Sequence, residues 1–403
     1  MSSFTPESND NKLVFKYGFE TDIGGGKENQ DDFFIFESSF EETPVLILGV
    51  LDGHGKELGK DAANASKEFF MNYFAEHYGT MKTAPYECLK NAFIGAHEHI
   101  KHAFQKKLEK NGFTVKEEEN ILVKKKYNWA PFSCVHGGST CSIIAIVGHD
   151  LYTANVGDST ALLCSLFTNL SSSMIHSIGD AAKGGSIAQP LTTSIPTSIP
   201  ENFVVLTADH SPENKAEFLR LREFRVRELD HSQPELYVVY DDREHEKTRC
   251  EPVFKQESDG TFTITEKGTY HKNVRKEFAS LVSTPLHSRF ADSLAFTRTL
   301  GDLNLQPYGV TFLPEIQHID LRPIQVNNKL CIVLASDGVW DNWEYKDVCE
   351  FVMHESCINA LSEINGAQNV TKSFMERNDG FAKRNFGGTR DNSTGLIVYI
   401  EEQ

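Results

Sequence analysis

Four short apolar segments of this chain each run into an aspartate, and this repetition constrains the fold more than any other feature. They are VLILGVLD, LYTANVGD, LAFTRTLGD and CIVLASD, which end at Asp52, Asp158, Asp302 and Asp337, and Asp391 stands just before a further apolar run. An ionised carboxylate beside apolar neighbours is costly without a compensating cation, and the flanking segments hold few lysines or arginines. If the segments lie side by side in sheets, the acids collect along one edge. Hard divalent ions such as Mg²⁺ or Mn²⁺ require such oxygen-rich surroundings, so the pattern predicts a site for several metal ions.

Composition excludes several classes of protein. The formal net charge of -17 argues against nucleic acid or an anionic membrane as the main partner. No run of about 18 apolar residues occurs, so no membrane span is expected. The eight cysteines form no C-x-x-C pair, which favours reduced thiols in a cytoplasmic or nuclear protein. We expect a monomer.

Strand and helix patterns along the chain predict α+β layers with helices packed outside sheets. Residues 13–52 are predicted to form a strand meander, and a hairpin after residue 139 carries Asp158 on its second arm. Long helices are predicted at 56–78, 85–109, 344–364 and 367–385, and a short helix that carries Arg220 and Arg222 is predicted to begin at Ser211-Pro212.

The predicted organisation is a flexible N-terminus at 1–12 and a single domain at 13–403. Inserts are expected near 110–135, as a solvated excursion, and near 165–200, as a loop or disordered segment. The basic patch HKNVRK at 271–276 reads as a solvated loop, with docking of an acidic partner as the alternative.

The segment DGHG at 52–55 is the sharpest candidate site. Its glycines let the backbone approach a ligand closely, and the Gly53 carbonyl is itself a potential metal ligand. His54 would then stand beside a bound substrate as a proton donor. The alternative is an ordinary strand-to-helix turn with an aspartate cap and a surface histidine.

Other catalytic patterns have less support. The segments GGGK and HGKELGKD do not match a phosphate-binding loop, and no G-x-S-x-G nucleophile elbow occurs. His97, His99 and His102 do not share one helix face as a metal pair should, and the sequence favours a solvated helix there.

Eight short motifs occur in order from about residue 18 to residue 400. They are ENQDD, GVLDGHG, GGSTCSIIAI, LYTANVGDS, LTADHSPENKAE, FTRTLGD, LASDGVWD and RDNSTGLIV. This ordered set resembles the metal-dependent serine/threonine protein phosphatases of type 2C. The resemblance implies a central β-sandwich of two antiparallel sheets flanked by helix pairs, a four-layer αββα arrangement, with two Mg²⁺ or Mn²⁺ ions at one end.

The resemblance also divides the work among the acids. Asp52 resembles the carboxylate that bridges both metals, with the Gly53 carbonyl on one of them. Asp302 and Asp337 resemble ligands of the other metal, and Asp391 matches a further acid of the site.

Outside this core, the resemblance implies supporting roles. Asp31, and Gln30 where many relatives have Glu, resemble groups that hold metal-bound waters. Asp158, together with Asp302, matches the position of a weaker third metal. His54, or a metal-bound water, would protonate the leaving oxygen of a phosphoserine or phosphothreonine in a protein substrate.

Two departures from the family pattern stand out. Many relatives hold the substrate phosphate with an arginine where this chain has Gly26, so Lys27 is left as the candidate phosphate-binding cation. The segment 210–294, here called the flap, is longer than usual and is expected to decide which phosphoprotein docks. Two further functions remain open: an inactive interaction module with the phosphatase fold, and a phosphatase for small metabolites.

Overall fold

The computed structural model describes residues 12–118, 121–180, 201–228, 236–242, 247–285, 288–325 and 328–402. The N-terminal residues 1–11 and most of the predicted insert, at 181–200, lie outside this described part. In the described part the strands are, in chain order, β1 Leu13–Asp22, β2 Asp32–Phe40, β3 Thr43–Leu51, β4 Gly53–His54, β5 Thr114–Glu118, β6 Ile121–Lys125, β7 Ser133–Cys134, β8 Gly138–Ser139, β9 Cys141–Val147, β10 Asp150–Val156, β11 Thr160–Ser165, β12 His176–Asp180, β13 Phe203–Val205, β14 Tyr237–Tyr240, β15 Phe254–Gln256, β16 Phe262–Ile264, β17 Ser280–Ser283, β18 Ser293–Leu294, β19 Leu300–Gly301, β20 Glu315–Asp320, β21 Leu330–Ala335 and β22 Ser393–Glu402.

The α-helices follow the apolar periodicity of the sequence. They are α1 Gly59–His77, α2 Pro85–Lys110, α3 Lys215–Glu228, α4 Arg322–Gln325, α5 Asp337–Trp340, α6 Tyr345–Val352, α7 Glu355–Ala360 and α8 Gly366–Phe386. Pro85 occupies the first turn of α2, where its missing N–H costs nothing. Among these described helices none is both long and apolar enough to cross a membrane.

Two antiparallel sheets form the centre of the molecule. One has the strand order β1-β22-β21-β11-β13, and the other has the order β12-β20-β10-β9-β3-β2. Alternate side chains of β3 and β9 point between the sheets, where Leu48 and Ile144 share a buried cluster with Ile332, Leu396 and Val398. Period-two alternation therefore gives each sheet one inner and one outer apolar face.

Helices cover both outer faces. Phe70 and Phe74 of α1 pack against Ile47 of β3 in one buried cluster. On the opposite side, Phe374 of α8 packs with Tyr399 of β22. The predicted four-layer αββα sandwich is confirmed.

Several predicted local structures were wrong. The strands at 13–52 do not form a meander, because β1 pairs with β22 in one sheet while β2 and β3 pair in the other. Part of the insert at 165–200 is ordered as β12, which pairs with β20. The insert near 110–135 contains the small sheet β5-β6-β7. The helix predicted at 344–364 is two helices, α6 and α7.

The flap folds over one end of the sandwich with two small cores of its own. It contains α3, the sheet β14-β17-β18 and the hairpin β15-β16. Val282 and Leu294 belong to one of its cores, which Phe296 just after the flap completes, and Phe218 and Phe254 belong to the other.

A buried ion network fixes the root of the flap to the sandwich. Arg298 is fully buried, and its guanidinium donates two hydrogen bonds to Asp180, of 2.9 and 3.0 Å, and one of 3.0 Å from Nε to Glu217. Arg220 donates to the same Glu217 carboxylate at 2.8 and 3.0 Å. Burial alone would raise the pKa of Glu217, but Arg220 and Arg298 hold it well below its usual range. Each charge in this network therefore has a partner of opposite sign.

Candidate functional site

Strand register brings the aspartates to one end of the sandwich. The start of β2 pairs with the end of β3, Asp32 opposite Leu51, which places Asp31 beside Asp52. The end of β21 pairs with the start of β11, Ala335 opposite Thr160. Asp337 lies just after Ala335, and Asp158 lies just before Thr160. Asp391 precedes β22, and β22 pairs with β21 on the side opposite to β11. The edge of acids that the sequence predicts is present.

Hydrogen bonds across the two sheets hold this edge together. Ser336 donates its hydroxyl to Asp31 Oδ2 at 2.8 Å and accepts the backbone N–H of Thr394 at 3.0 Å. The side chain of Asn392 accepts the backbone N–H of Gln30 at 2.7 Å. Residues on one sheet therefore position the acid that stands at the end of the other.

The carboxylates of the edge are crowded, and those of Asp52 and Asp337 are influenced mainly by other carboxylates. Burial, followed by the charges of Asp31, Asp337, Asp391 and Asp158, raises the pKa of Asp52 well above its usual range. Burial and then Asp391 and Asp158 raise the pKa of Asp337 in the same way. Burial raises the pKa of Asp31 to about 7, although Ser336 and Thr394 oppose the shift. Mutual repulsion of this kind is relieved by bound cations.

Unsatisfied oxygen atoms point to the same conclusion. The Oδ1 atoms of Asp31, Asp158 and Asp337 are buried without a hydrogen-bond partner. In the described part of the chain, no three His, Cys, Asp or Glu side chains converge closely enough to hold one ion by themselves. Mg²⁺ keeps several of its waters and needs only one or two carboxylates, so this donor set fits hydrated hard ions.

The backbone at Gly53 leaves no room for a side chain. A Cβ at this position would lie 2.5 Å from the Gly59 carbonyl oxygen and 2.6 Å from that of Gln30. The Gln30 side chain donates to the Gly55 carbonyl at 3.0 Å, so it braces the DGHG loop. Its predicted role in holding metal-bound water stays a prediction.

His54 lies next to the acids and is held by one of them. Its Nε2 is 2.6 Å from Asp302 Oδ2, and its ring packs edge-on against Phe296, which lies just after the flap. Burial lowers the pKa of His54, but the adjacent Asp302 carboxylate outweighs it and the net shift is upward. The protonated imidazolium is therefore favoured, as a proton donor requires.

Asp302 has unusual backbone geometry. Its φ is 45°, a left-handed value that aspartate tolerates better than most residues, and it follows Gly301, whose φ is 87°. Besides His54, its Oδ2 accepts a 2.9 Å hydrogen bond from Thr299. The backbone N–H of Gly301 donates a 3.2 Å hydrogen bond to His97 Nδ1. The turn therefore directs Asp302 Oδ2 toward His54. The contact of Asp302 with a metal ion stays a prediction, and only its Oδ1 atom can make that contact without losing these hydrogen bonds.

His97 was wrongly interpreted as part of a solvated helix face. It is buried, and its ring stacks on Phe312 at a centroid distance of 4.0 Å. Burial lowers its pKa to about 3, so it is a neutral support for the Gly301 turn. Phe93 and Ile100, at helical spacing on either side of His97, are also buried. This apolar spacing is the signal in the sequence that would have predicted a buried histidine.

The predicted phosphate-binding region is open to solvent. Lys27 is exposed in the turn before β2, and Gly26 next to it has an ordinary φ. A Cβ on Gly26 would meet nothing closer than 3.4 Å, so a larger side chain fits there.

Three charged residues near the acids were missed as site residues. Lys272 belongs to the basic patch and Asp209 to the segment LTADHSP, and Asp341 follows α5. Burial raises the pKa of Asp341 to about 7, against the opposing charge of Lys272. The only hint of these residues in the sequence was the basic patch at 271–276 in an otherwise acidic chain. The patch alone did not indicate which acids lie near it.

Comparison with known proteins places the chain in a family. The family model described as protein phosphatase 2C matches residues 48–182 and 277–377, which is more than half of the chain. The chain belongs to the protein phosphatase 2C family. The two matched ranges contain Asp52, Asp158, Asp302 and Asp337, and the gap between them covers most of the flap.

Two relatives illustrate the distance within the protein phosphatase 2C family. A putative protein phosphatase 2C 50 from Arabidopsis thaliana is 24% identical over 319 residues, which cover 76% of this chain and 63% of that protein. The mitochondrial protein phosphatase 1K of Xenopus laevis is 23% identical over 384 residues, 95% of this chain and 67% of that protein. The chain thus spans about two thirds of the length of these curated relatives.

Solved structures support the fold. The serine-threonine phosphatase 2C of Toxoplasma gondii matches with a TM-score of 0.53 at 15% identity, over 96% of this chain and 95% of that one. A C. elegans sex determining protein matches with a TM-score of 0.51 at 16% identity, over 95% of this chain and 64% of that one.

Proposed function

We propose that this chain hydrolyses phosphoserine and phosphothreonine in proteins, using Mg²⁺ or Mn²⁺ ions bound at the edge of acids. The observation that carries the proposal is the cluster of carboxylates that repel one another, led by the half-buried Asp52 and Asp337, in a member of the protein phosphatase 2C family.

The residues would divide the work as follows. Asp52 would hold both ions, Gly53 one of them through its carbonyl, and Asp337, Asp391 and Asp302 the other. When bound, such a pair of ions acidifies a water molecule and neutralises the phosphoryl oxygens. The carboxylate of Asp31 is held by the hydroxyl of Ser336 next to these metal ligands, and it would orient the water molecules that the ions bind.

The proton for the leaving group would come from His54. Its Nε2 is shared with Asp302, which favours the imidazolium and fixes the ring plane. The edge-on contact with Phe296 closes one side of the ring to water. A serine or threonine alkoxide is a poor leaving group without a proton, so this position next to the acids suits general acid catalysis.

Two alternatives use the same residues. An interaction module would keep the fold without turnover, and a metabolite phosphatase would act on small phosphate esters. The ordered sheets of the flap favour a macromolecular substrate, because they build a surface beside His54 that a small ester does not need.

The test is hydrolysis of a phosphothreonine peptide and of p-nitrophenyl phosphate by the full chain in EDTA, Mg²⁺ or Mn²⁺. We expect turnover only with metal. In Asp52→Asn and Asp337→Asn we expect a loss of at least about 100-fold, since even changes behind metal ligands cost 10–100-fold. Asp347→Asn, an exposed aspartate of α6, is the matched control and should keep full activity.

Each alternative has a distinct result. Turnover in EDTA, or full activity of Asp337→Asn, would overturn the metal mechanism. Inactivity of the folded wild type in saturating Mn²⁺ would favour the interaction module. Efficient turnover of p-nitrophenyl phosphate with none of the peptide would favour the metabolite phosphatase.

A further inference from the structure

The insert near 110–135 places a small sheet beside the site. After its last strand, β7, three residues lead to β8, and β8 pairs with the DGHG loop, Gly138 opposite His54. The carbonyl of Gly137 accepts the backbone N–H of Asp302 at 3.0 Å. Phe132, just before β7, is six residues from Gly138, so at most about 20 Å of chain separates it from the DGHG loop. The turn between β6 and β7 is therefore within reach of a substrate held at the acids.

Two contacts join this sheet to the flap. Arg289 of the flap donates a 2.6 Å hydrogen bond to Glu118 of β5. On the other side of the sheet's sequence, His136 follows β7, and its Nδ1 lies 3.0 Å from Asp292 Oδ2 of the flap. The sheet is therefore joined to the flap at the same end of the molecule as the acids.

The turn between β6 and β7 presents an exposed pair of aromatic rings. Tyr127 and Trp129 stack with their ring centroids 5.5 Å apart and an interplanar angle of 3°. Their exposed fractions are 55% and 82%, and Trp129 is more exposed than any other Phe, Tyr or Trp in the part of the chain that the structure describes. Exposed aromatic rings in an ordered pair are typical of surfaces that bind another protein, because covering them buries a large apolar area.

The lysines beside this pair have no acid of their own. The side chains of Lys125 and Lys126 each lie over a phenylalanine ring, with Nζ 4.8 and 5.4 Å from its centre. None of the carboxylates that the structure describes forms an ion pair with either lysine, whereas the preceding Lys124 is paired with Glu57. Two adjacent ammonium groups next to exposed rings favour a partner of negative charge.

The other basic run of the chain is partly engaged within the molecule. The guanidinium of Arg275 donates to the carbonyl oxygens of Trp340 and Trp343. The patch at 271–276 was therefore wrongly interpreted as a solvated loop, because part of it binds the chain's own α5 region. Of the two basic runs, the one at 124–126 is the better candidate for an acidic partner.

We propose that the stacked rings of Tyr127 and Trp129, with Lys125 and Lys126, form a docking surface for an acidic segment of the phosphoprotein substrate. The inference rests on the proposed function, which places the phosphorylated residue at the acids. About six extended residues would reach from there to the turn. The aromatic rings would supply the buried area and the ammonium groups the selection for acidic sequences.

A nucleic acid or an anionic membrane would meet the same lysines. Both are extended polyanions, and the net charge of -17 on the chain repels them over a wide area. A short acidic segment of a protein contacts only the docking surface, so it is the partner that the charge distribution favours.

The first test measures binding through Trp129. The chain has three tryptophans, and Trp340 and Trp343 are only 1% and 3% exposed, so the neutral quencher acrylamide reaches chiefly Trp129. In the metal-free full chain, we expect a peptide rich in Asp and Glu to protect this fluorescence from quenching. The same peptide with Asn and Gln in place of the acids should bind at least about 10-fold more weakly, because it lacks the attraction to the lysines.

The second test measures turnover in Mn²⁺ of a phosphothreonine peptide flanked by acids and of its neutral Asn and Gln counterpart. We expect kcat/KM to be about 10-fold higher for the acidic peptide, as a few aromatic and charged contacts carry most of the energy of such docking. The preference should disappear in Tyr127→Ser combined with Trp129→Ser, and in Lys125→Gln combined with Lys126→Gln. Turnover of p-nitrophenyl phosphate should stay unchanged in both, because this small ester does not reach the turn.

Two controls separate docking from a general loss of surface. Lys125→Arg combined with Lys126→Arg keeps both charges and should keep the preference for the acidic peptide. Phe167→Ser removes another exposed aromatic side chain, which is 73% exposed and follows the end of β11 away from the acids. This variant should match the wild type with both peptides.

Equal kcat/KM for the two peptides would overturn the proposal, as would a preference that survives without Tyr127 and Trp129. Protection of Trp129 by single-stranded DNA or anionic vesicles, but not by the acidic peptide, would overturn it and assign the surface to another partner. Failure of the proposed function is distinguishable, because neither p-nitrophenyl phosphate nor the peptides would then be hydrolysed, while the acidic peptide would still protect Trp129.

Discussion

The molecule contains two clusters of buried charge that differ in their balance. Around Arg298, acids and arginines alternate, and the pKa of Glu217 lies well below its usual range because two guanidinium groups contact it. Around Asp52, acids meet mainly other acids, and its pKa lies well above its usual range. The first cluster is complete within the chain and fixes the flap root. The second is incomplete without a cation from solution, and that imbalance distinguishes a candidate site from a structural contact.

The strongest test of the balanced cluster is Arg298→Met. It leaves Glu217 and Asp180 buried without this guanidinium, so we expect the free energy of unfolding to fall by about 3–5 kcal/mol in urea denaturation. Arg322→Met is the control, because Arg322 and Asp320 form an exposed pair and the expected change is below about 1 kcal/mol. A loss below about 1 kcal/mol in Arg298→Met would show that the network does not fix the flap root.

His97 tests a third case, a buried titratable group that stays neutral. Its pKa is lowered from 6.5 to about 3, so below pH 6.5 the unfolded chain binds a proton that the folded chain does not. Stability from this group is present above pH 6.5 and is lost as the pH falls. Between pH 7 and pH 5 we expect the stability advantage of the wild type over His97→Gln to shrink by about 2 kcal/mol.

The measurement is urea denaturation of both proteins at a series of pH values. His102→Gln, an exposed position on the same helix, is the control and should track the wild type at every pH. A constant difference between wild type and His97→Gln would mean that His97 titrates alike in the folded and unfolded chains.

The unbalanced cluster should respond in the opposite direction to Arg298. In EDTA, Asp337→Asn removes one of several repelling carboxylates, and we expect the variant to be more stable than the wild type by about 1 kcal/mol. In Mn²⁺ the order should reverse, because the wild type gains binding energy that the variant lacks. Thermal unfolding with and without metal measures both, with Asp347→Asn as the control. A variant less stable than the wild type in EDTA would argue that the acids do not repel.

The smallest expected effect comes from adding a cation at the edge of the acids. Gly26→Arg fits sterically and supplies the planar guanidinium that binds phosphate with two hydrogen bonds. We expect KM for a phosphothreonine peptide to fall by a factor of about 3–10, equivalent to about 1 kcal/mol. Gly26→Met controls for size. An unchanged KM in Gly26→Arg would mean that Lys27 or the bound metals already anchor the phosphate.

The sandwich and the acidic edge were predictable because each depends on local pattern. Apolar runs of β-rich residues predict strands, and an aspartate directly after a run must lie at the end of that strand. Once the strands align, Asp52, Asp158 and Asp337 meet without any further information. The sheet assignment of β1 was not predictable in this way, because its partner β22 lies at the other end of the sequence.

What the sequence did not reveal depends on pairing between distant residues. Arg298 meets Asp180 and Glu217 across separations of 118 and 81 positions, and nothing near it in the sequence indicates either partner. Lys272 is similar, since a lysine in a polar segment looks the same whether it faces solvent or a carboxylate such as that of Glu277. Local patterns therefore locate the acids, whereas the cations that balance them become visible only in the folded chain.

The position of β22 between β1 and β21 has a consequence for synthesis. On a ribosome, the first strand of the five-stranded sheet must wait until residues 393–402 emerge, because neither β1 nor β21 can complete its pairing earlier. Asp391 and the Thr394 N–H that orients Ser336 arrive at the same late moment. The acidic edge therefore cannot be assembled before these residues have emerged from the ribosome, and whatever chemistry it performs begins only after that point.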